Sequence, residues 1–135
     1  ISAWSGSLID GGSFGVYTGT GPDEVAELMP ILIEELKRAT VAPSPEELAR
    51  ARAQIRAGLL MGLESTSSRM DALGSHMLIY GRPLPTTEIV ARIEAVDAAQ
   101  VAAAARRLFA GDPTLAAIGP IEKLESMAQL RARLA

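Results

Sequence analysis

The apolar residues of this chain recur with two different periods. Over residues 1–20 they alternate, and beyond Gly21 they return every three or four residues. Ile1 to Ile9 predicts a strand, with Ile1, Ala3 and Trp4 set against Ser2, Ser5 and Ser7. Asp10-Gly11-Gly12 is a turn signal, because glycine admits the positive φ that tight hairpins need. Ser13 to Thr20 alternates again, with Phe14, Val16 and Thr18 on one side and Gly15, Tyr17 and Gly19 on the other. The two segments predict a β-hairpin, and the glycines opposite Phe14 and Val16 predict a close approach on their face.

From Gly21 onward the pattern is helical. Pro22-Asp23-Glu24 starts a helix whose apolar face is Val25, Leu28, Met29, Leu32 and Leu36, with a kink expected near Pro30. After the short linker Val41-Ala42-Pro43, Ser44-Pro45-Glu46-Glu47 reads as a capping box. It opens a helix to about Leu63, with Leu48, Ala51, Ile55, Leu59 and Gly62 on one face. Four hydroxyl residues, Ser65 to Ser68, form a polar joint before an amphipathic run of Met70, Leu73, Met77 and Tyr80. That run stops at Tyr80-Gly81-Arg82-Pro83, where glycine can cap and proline cannot continue. Thr86 or Thr87 predicts the cap of a short helix with Ile89, Val90 and Ile93 inward. Asp97-Ala98-Ala99-Gln100 is a second capping box, leading Val101, Ala105, Leu108 and Phe109. Thr114 to Ile118 predicts a short strand, and Glu122 to Ala135 a terminal helix with Leu124, Met127 and Leu134 inward.

The order β-β-α-α-α-α-α-β-α segregates strands from helices. It predicts an α+β domain over residues 1–135, an antiparallel sheet with helices packed on one face. Three strands are few for so many helices. The expectation is a segment whose upstream strands are missing, with an open edge beside Ile1, Ala3 and Phe14 that invites a homodimer.

Composition narrows the function classes. Net charge is −3, and Lys and Arg never cluster beyond pairs such as Lys37-Arg38, so no nucleic-acid footprint is present. The chain has no cysteine and a single histidine, His76. A catalytic zinc takes about three protein ligands, so His76 reads as a structural histidine. Glu46 and Glu47 are neighbours on a helix and do not face each other, which removes them as an acid pair. The serines have no strand–turn–helix elbow and no base, so they read as caps. Gly19-Thr20-Gly21 lacks the other glycines and the lysine of a phosphate loop. The longest wholly apolar run, Ala57 to Leu63, is too short to span a bilayer. The compartment stays open between periplasm and cytoplasm, and the Ala- and Arg-rich composition hints at a GC-rich bacterium.

A resemblance adds to this reading. Gly19-Thr20-Gly21-Pro22-Asp23, Pro45-Glu46-Glu47-Leu48-Ala49-Arg50-Ala51, Leu63-Glu64-Ser65-Thr66-Ser67-Ser68-Arg69-Met70 and Tyr80-Gly81-Arg82-Pro83-Leu84 occur in that order. The arrangement resembles the second, non-catalytic domain of a half of the insulinase/pitrilysin zinc peptidases, in the form of bacterial members related to the mitochondrial processing peptidase. The resemblance implies a clamshell of two halves around a peptide chamber, with zinc in a separate catalytic domain and no cofactor in this chain. It implies that the partner is that catalytic domain or a partner subunit and that the substrate is a peptide. The zinc motif His-x-x-Glu-His is absent, and so is the substrate-contacting Arg and Tyr pair expected just before Ile1. No catalytic or metal residue is therefore carried over. The resemblance implies that Ser2 and Trp4 line the chamber, against the plainer reading of ordinary sheet packing. Ser65, Arg69, Tyr80 and Arg82 are assigned structural roles, with Arg69 expected to bridge backbone or acids around the joint.

The expected function is a domain that walls the chamber of a zinc metalloendopeptidase and is inactive alone. The alternatives are a domain of a non-catalytic partner or core subunit and a free-standing helical interaction module. With one histidine and no cysteine, the isolated chain is expected to hold no stoichiometric zinc after chelator washing and reloading. Metal analysis checks this, and tight one-to-one zinc ligated by His76 would refute it.

Overall fold

The computed structural model describes residues 1–134. It has two strands, β1 (Ser2–Ser7) and β2 (Gly12–Tyr17), followed by six helices. These are α1 (Val25–Arg38), α2 (Pro45–Gly62), α3 (Thr66–Tyr80), α4 (Thr86–Ala95), α5 (Ala98–Phe109) and α6 (Met127–Leu134). The fold is a small α+β arrangement with a two-stranded antiparallel sheet. It divides into two units, one of residues 1–42 with the stretch from Val101 onward, the other Pro43–Gln100. The linker read at Val41-Ala42-Pro43 coincides with that division.

In the first unit the hairpin register runs from Ser2 opposite Tyr17 to Ser7 opposite Gly12, closed by the Leu8 N–H donating to the Gly11 carbonyl at 2.8 Å. Cross-strand partners share a face, so Trp4 lies opposite Gly15 and Ser5 opposite Phe14. A Cβ on Gly15 would come within 2.4 Å of the Trp4 ring, which identifies the close approach that the glycine pattern implied. On the other face Phe14 meets Phe109 of α5 edge-on, with ring centres 5.9 Å apart.

The core of this unit is Met29 and Ile33 of α1 against Leu130 of α6, with Leu32, Leu115, Leu124, Met127 and Leu134 packed around them. Helix α1 runs through Pro30, and the i, i+4 series Val25, Met29, Ile33 is its buried stripe. Three expectations change here. Thr114 to Ile118 forms no strand: β1 and β2 pair only with each other, Ile118 is fully exposed, and Leu115 turns onto the core cluster. The expected terminal helix begins at Met127 rather than Glu122, because Ser126 and Gln129 form a capping box. In it the Ser126 N–H donates to Gln129 Oε1 at 2.8 Å, and the Gln129 N–H to Ser126 Oγ at 3.4 Å. Ala135 lies outside the described residues. Leu108, one of the apolar residues expected to line α5, is exposed, and Ala102 takes the buried position on that helix.

In the second unit the caps follow the sequence closely. The Glu47 N–H donates to Ser44 Oγ at 3.2 Å while the Ser44 N–H donates to Glu47 Oε2 at 2.9 Å. Ser65 caps α3 by accepting from the Ser68 N–H at 3.3 Å, so the polar joint is confined to Leu63–Ser65 and the other hydroxyls lie in the first helical turn. Gly81 ends α3 at φ 67, the left-handed cap that glycine adopts without strain. Helix α4 differs: Pro85, not a threonine, stands at its N-cap, and Thr86 is its first residue. The amphipathic run of Met70, Leu73, Met77 and Tyr80 is at least half exposed at every position. Polar ties join α2 to the end of α4. Arg52 Nε donates to the Val96 carbonyl at 3.2 Å, and Arg56 Nη1 donates to Glu94 Oε1 at 3.0 Å.

The packing reverses the order that periodicity gives two leucines, burying Leu130, which the apolar pattern passed over, and leaving Leu108, which it named, exposed. Leu130→Ala is expected to cost about 2–5 kcal/mol, the range for truncating a buried leucine. Leu108→Ala is expected to cost less than about 0.5 kcal/mol, as for an exposed site. Denaturant unfolding of both variants checks the contrast.

Candidate functional site

Three local arrangements carry polar chemistry. The first is the exposed sheet face. Ser2 and Trp4 of β1 stand opposite Tyr17 and Gly15 of β2. Trp4 is 54 % exposed although its ring covers Gly15. The two residues expected to line a chamber therefore share one face with Tyr17 and leave aromatic surface open.

The second lies at the start of α4. Arg82 donates twice to the Glu88 carboxylate, from Nη1 to Oε2 at 2.9 Å and from Nη2 to Oε1 at 2.8 Å. Arg92, one turn further along α4, donates to the same Oε1 at 2.7 Å. The fork geometry makes this the strongest class of side-chain hydrogen bond. The Arg82 hydrogen bonds, helped by Arg92 and by the charge of both guanidiniums and opposed by partial desolvation, lower the Glu88 carboxyl from 4.5 to about 2. The same contact raises Arg82. The contact ties the chain after Gly81 to the first turn of α4. Glu88 and Arg92 were not singled out from sequence. Their i, i+4 spacing was the available signal, but nothing local to it indicates that Arg82 joins them.

The third is a groove of about 340 Å³ in the second unit. Helix α2 and the residue after it supply Leu59 and Leu63, and α4 with its preceding loop supplies Leu84, Thr86 and Ile89. One face of α3 supplies Arg69, Ala72, Leu73 and His76, an i, i+3, i+4, i+7 set. His76 is fixed there by the Leu84 backbone N–H, which donates to Nδ1 at 3.3 Å. The structural role expected for His76 is thus to bind the loop that follows Gly81. Its ring also stacks at a tilt near Tyr80, 6.2 Å between centres, which is the contact found for Tyr80. Arg69 does not make the bridges expected of it: it has no hydrogen bond or ion pair among the described residues.

The described residues do not suit a zinc centre, since no three His, Cys, Asp or Glu side chains converge on one point. No step through a metal follows from this chain's own side chains.

Comparison with known proteins completes the description. No family model matches the chain. It is 34 % identical over 134 residues, 98 % of its length, to the probable mitochondrial-processing peptidase subunit beta of Arabidopsis thaliana. It is 31 % identical to an uncharacterized zinc protease of Streptomyces coelicolor over 90 % of its length, and 31 % identical to one of Rickettsia bellii over 89 %. The chain spans about a quarter of the length of these relatives, 25 %, 27 % and 29 % respectively.

The lowered Glu88 carboxyl has a pH signature. A carboxylate held low in the folded state stabilises it at any pH above its unfolded value of 4.5. That contribution is lost as pH falls through about 2. Wild type is therefore expected to be more stable than Glu88→Gln above pH 4.5, with the gap closing between there and about pH 2. Paired denaturation curves across that window check it. A gap that stays constant down to pH 2 would remove the ionic account.

Proposed function

Starting from the insulinase-like zinc peptidases related to the mitochondrial processing peptidase, the family to which this chain belongs, we propose that the chain is a non-zinc-binding domain of a zinc metalloendopeptidase. In this reading it walls a peptide-binding chamber and completes the two-halved enclosure around it. It has no activity alone, and the zinc sits in another domain of the full protein. The observation that carries the reading is likeness over nearly the whole chain to proteins named as a peptidase subunit and as zinc proteases. The division of labour is in keeping with the donor set, since among the described residues no three His, Cys, Asp or Glu side chains converge as a hydrolytic zinc requires.

The chain's own residues would then act by shape and contact. The face carrying Ser2, Trp4 and Tyr17 presents aromatic surface and a hydroxyl beside strand edges without a third strand among the described residues. Extended peptides add to such edges through backbone hydrogen bonds, with alternate side chains on one face. The natural partner of this chain is accordingly the zinc-bearing domain or a sister subunit, and the substrate is an unfolded peptide.

Deletion tests the reading. The intact natural protein is expected to contain zinc and to cleave an unstructured peptide. Removing the residues of this chain is expected to abolish cleavage while zinc stays bound to the remainder. Cleavage by the 135-residue chain alone, or full activity without it, would overturn the proposal.

A further inference from the structure

The groove of the second unit combines features that the wall-forming role does not use. Arg69 is one of six arginines in that unit, with Arg50, Arg52, Arg56, Arg82 and Arg92. Arg52 is engaged by the Val96 carbonyl, Arg56 by Glu94, and Arg82 and Arg92 by Glu88. Arg50 and Arg69 have no such partner among the described residues, and of the two only Arg69 lines the groove. Two helical turns along the same face stands His76. Its Nδ1 accepts the Leu84 N–H, so the ring proton of the neutral imidazole resides on Nε2. That leaves Nε2–H as a donor without a partner among the described residues. Apart from Thr86 the remaining walls are aliphatic, chiefly Leu59, Leu63, Leu73 and Ile89.

This chemistry selects a ligand. One permanent positive charge with a planar fork suits a single carboxylate, which accepts two parallel N–H groups. A neutral imidazole adds one further donor without adding charge. A phosphate dianion would ask for more cationic partners than the groove offers. The aliphatic walls require that the carboxylate be joined to a branched apolar group. The volume, about 340 Å³, lies at the lower end of the ~300–1,000 Å³ typical of small-ligand clefts. A long polypeptide would not fit, but a chain end would.

We propose that this groove binds the free C-terminal carboxylate of a peptide whose last residue is a large aliphatic one. Arg69 pairs with the carboxylate, His76 donates to it from Nε2, and Leu59, Leu63, Leu73 and Ile89 enclose the side chain. This inference rests on the peptidase reading for the choice of a peptide as the ligand. It makes the groove a site for chain ends, either of substrates or of the products that cleavage releases. The support of the site is rigid, because the Arg82–Glu88–Arg92 cluster and the His76–Leu84 bond fix the loop that forms one wall.

Calorimetric titration of the intact natural protein tests it with three probes: N-acetyl-leucyl-leucine, its C-terminal amide, and octanoate. The acid is expected to bind, the amide about tenfold or more weakly, as follows from losing a charge-assisted hydrogen bond. Arg69→Gln is expected to bring the acid down to the level of the amide, and Arg69→Lys to retain part of the affinity, having the charge without the fork. Because Arg69 is exposed and unpartnered, both variants should fold, and circular dichroism checks that they do. Equal binding of acid and amide, an Arg69→Gln variant that binds the acid normally, or no binding of the acid overturns the proposal. Tighter binding of octanoate than of the peptide acid overturns the peptide assignment in favour of a fatty acid. These titrations read binding and not cleavage, so a failure here leaves the deletion experiment free to succeed or fail separately.

Discussion

The packing of α1 against α6 is the constraint on which the first unit depends. Met29 and Ile33 meet Leu130 across nearly a hundred residues of sequence, and these three form the buried cluster among the described residues. Each such side chain contributes on the order of 1.5–3 kcal/mol by leaving water. Everything between α5 and α6 is arranged to permit that contact. Leu115 and Leu124 turn onto it, the Ser126–Gln129 box starts α6 in register, and Lys37 donates to the Arg133 carbonyl at 2.6 Å. The Glu125–Arg133 contact, with one carboxylate oxygen 2.8 Å from the guanidinium, holds the same end. Exposed pairs such as Lys123–Asp23 and Arg131–Asp112 add little beside it. A two-stranded hairpin is marginal by itself. Phe14 against Phe109 is how β2 gains a hydrophobic contact with the rest of this unit.

The second unit is built on a different basis. None of the residues of α2, α3 or α4 is fully buried, and its organisation comes from caps and arginine contacts. The Ser44 box, the Ser65 cap and the Gly81 terminus define where the helices begin and end. Arg52, Arg56 and the Arg82–Glu88–Arg92 cluster define how they meet. Arginine suits this work because its fork makes directional contacts at an exposed surface, where packing alone specifies little. The consequence is a surface with much open apolar area, including Met70, Leu73 and Met77. Exposed apolar area of this kind marks surfaces that meet other molecules.

Those two styles of construction bear on function. Among the described residues no three His, Cys, Asp or Glu side chains gather into a metal-ligand cluster. What they assemble is surface: an aromatic sheet face in one unit and an aliphatic groove with an unpaired guanidinium in the other. These are the surfaces on which the proposed wall-forming role rests.

By itself the sequence determined what depends on neighbouring residues. The hairpin, the two capping boxes at Ser44 and Asp97 and the glycine terminus at Gly81 were legible because each is a contact within four residues or a backbone preference of one. The family was legible for a similar reason, since its motifs are contiguous strings such as Leu63 to Met70. Tertiary structure decided what depends on distant residues. Periodicity named Leu108 and passed over Leu130, yet the approach of α6 to α1 buries Leu130 while Leu108 stays exposed. Thr114 to Ile118 has the composition of a strand, yet a strand exists only where another backbone pairs with it, and here Leu115 is drawn to the core instead. Arg69 and Arg82 were both assigned structural roles, but their surroundings separated them. Glu88 lies within reach of Arg82, whereas Arg69 faces an aliphatic groove, and that difference in partners is set by the loop and helix folded against α3, not by any pattern in the chain.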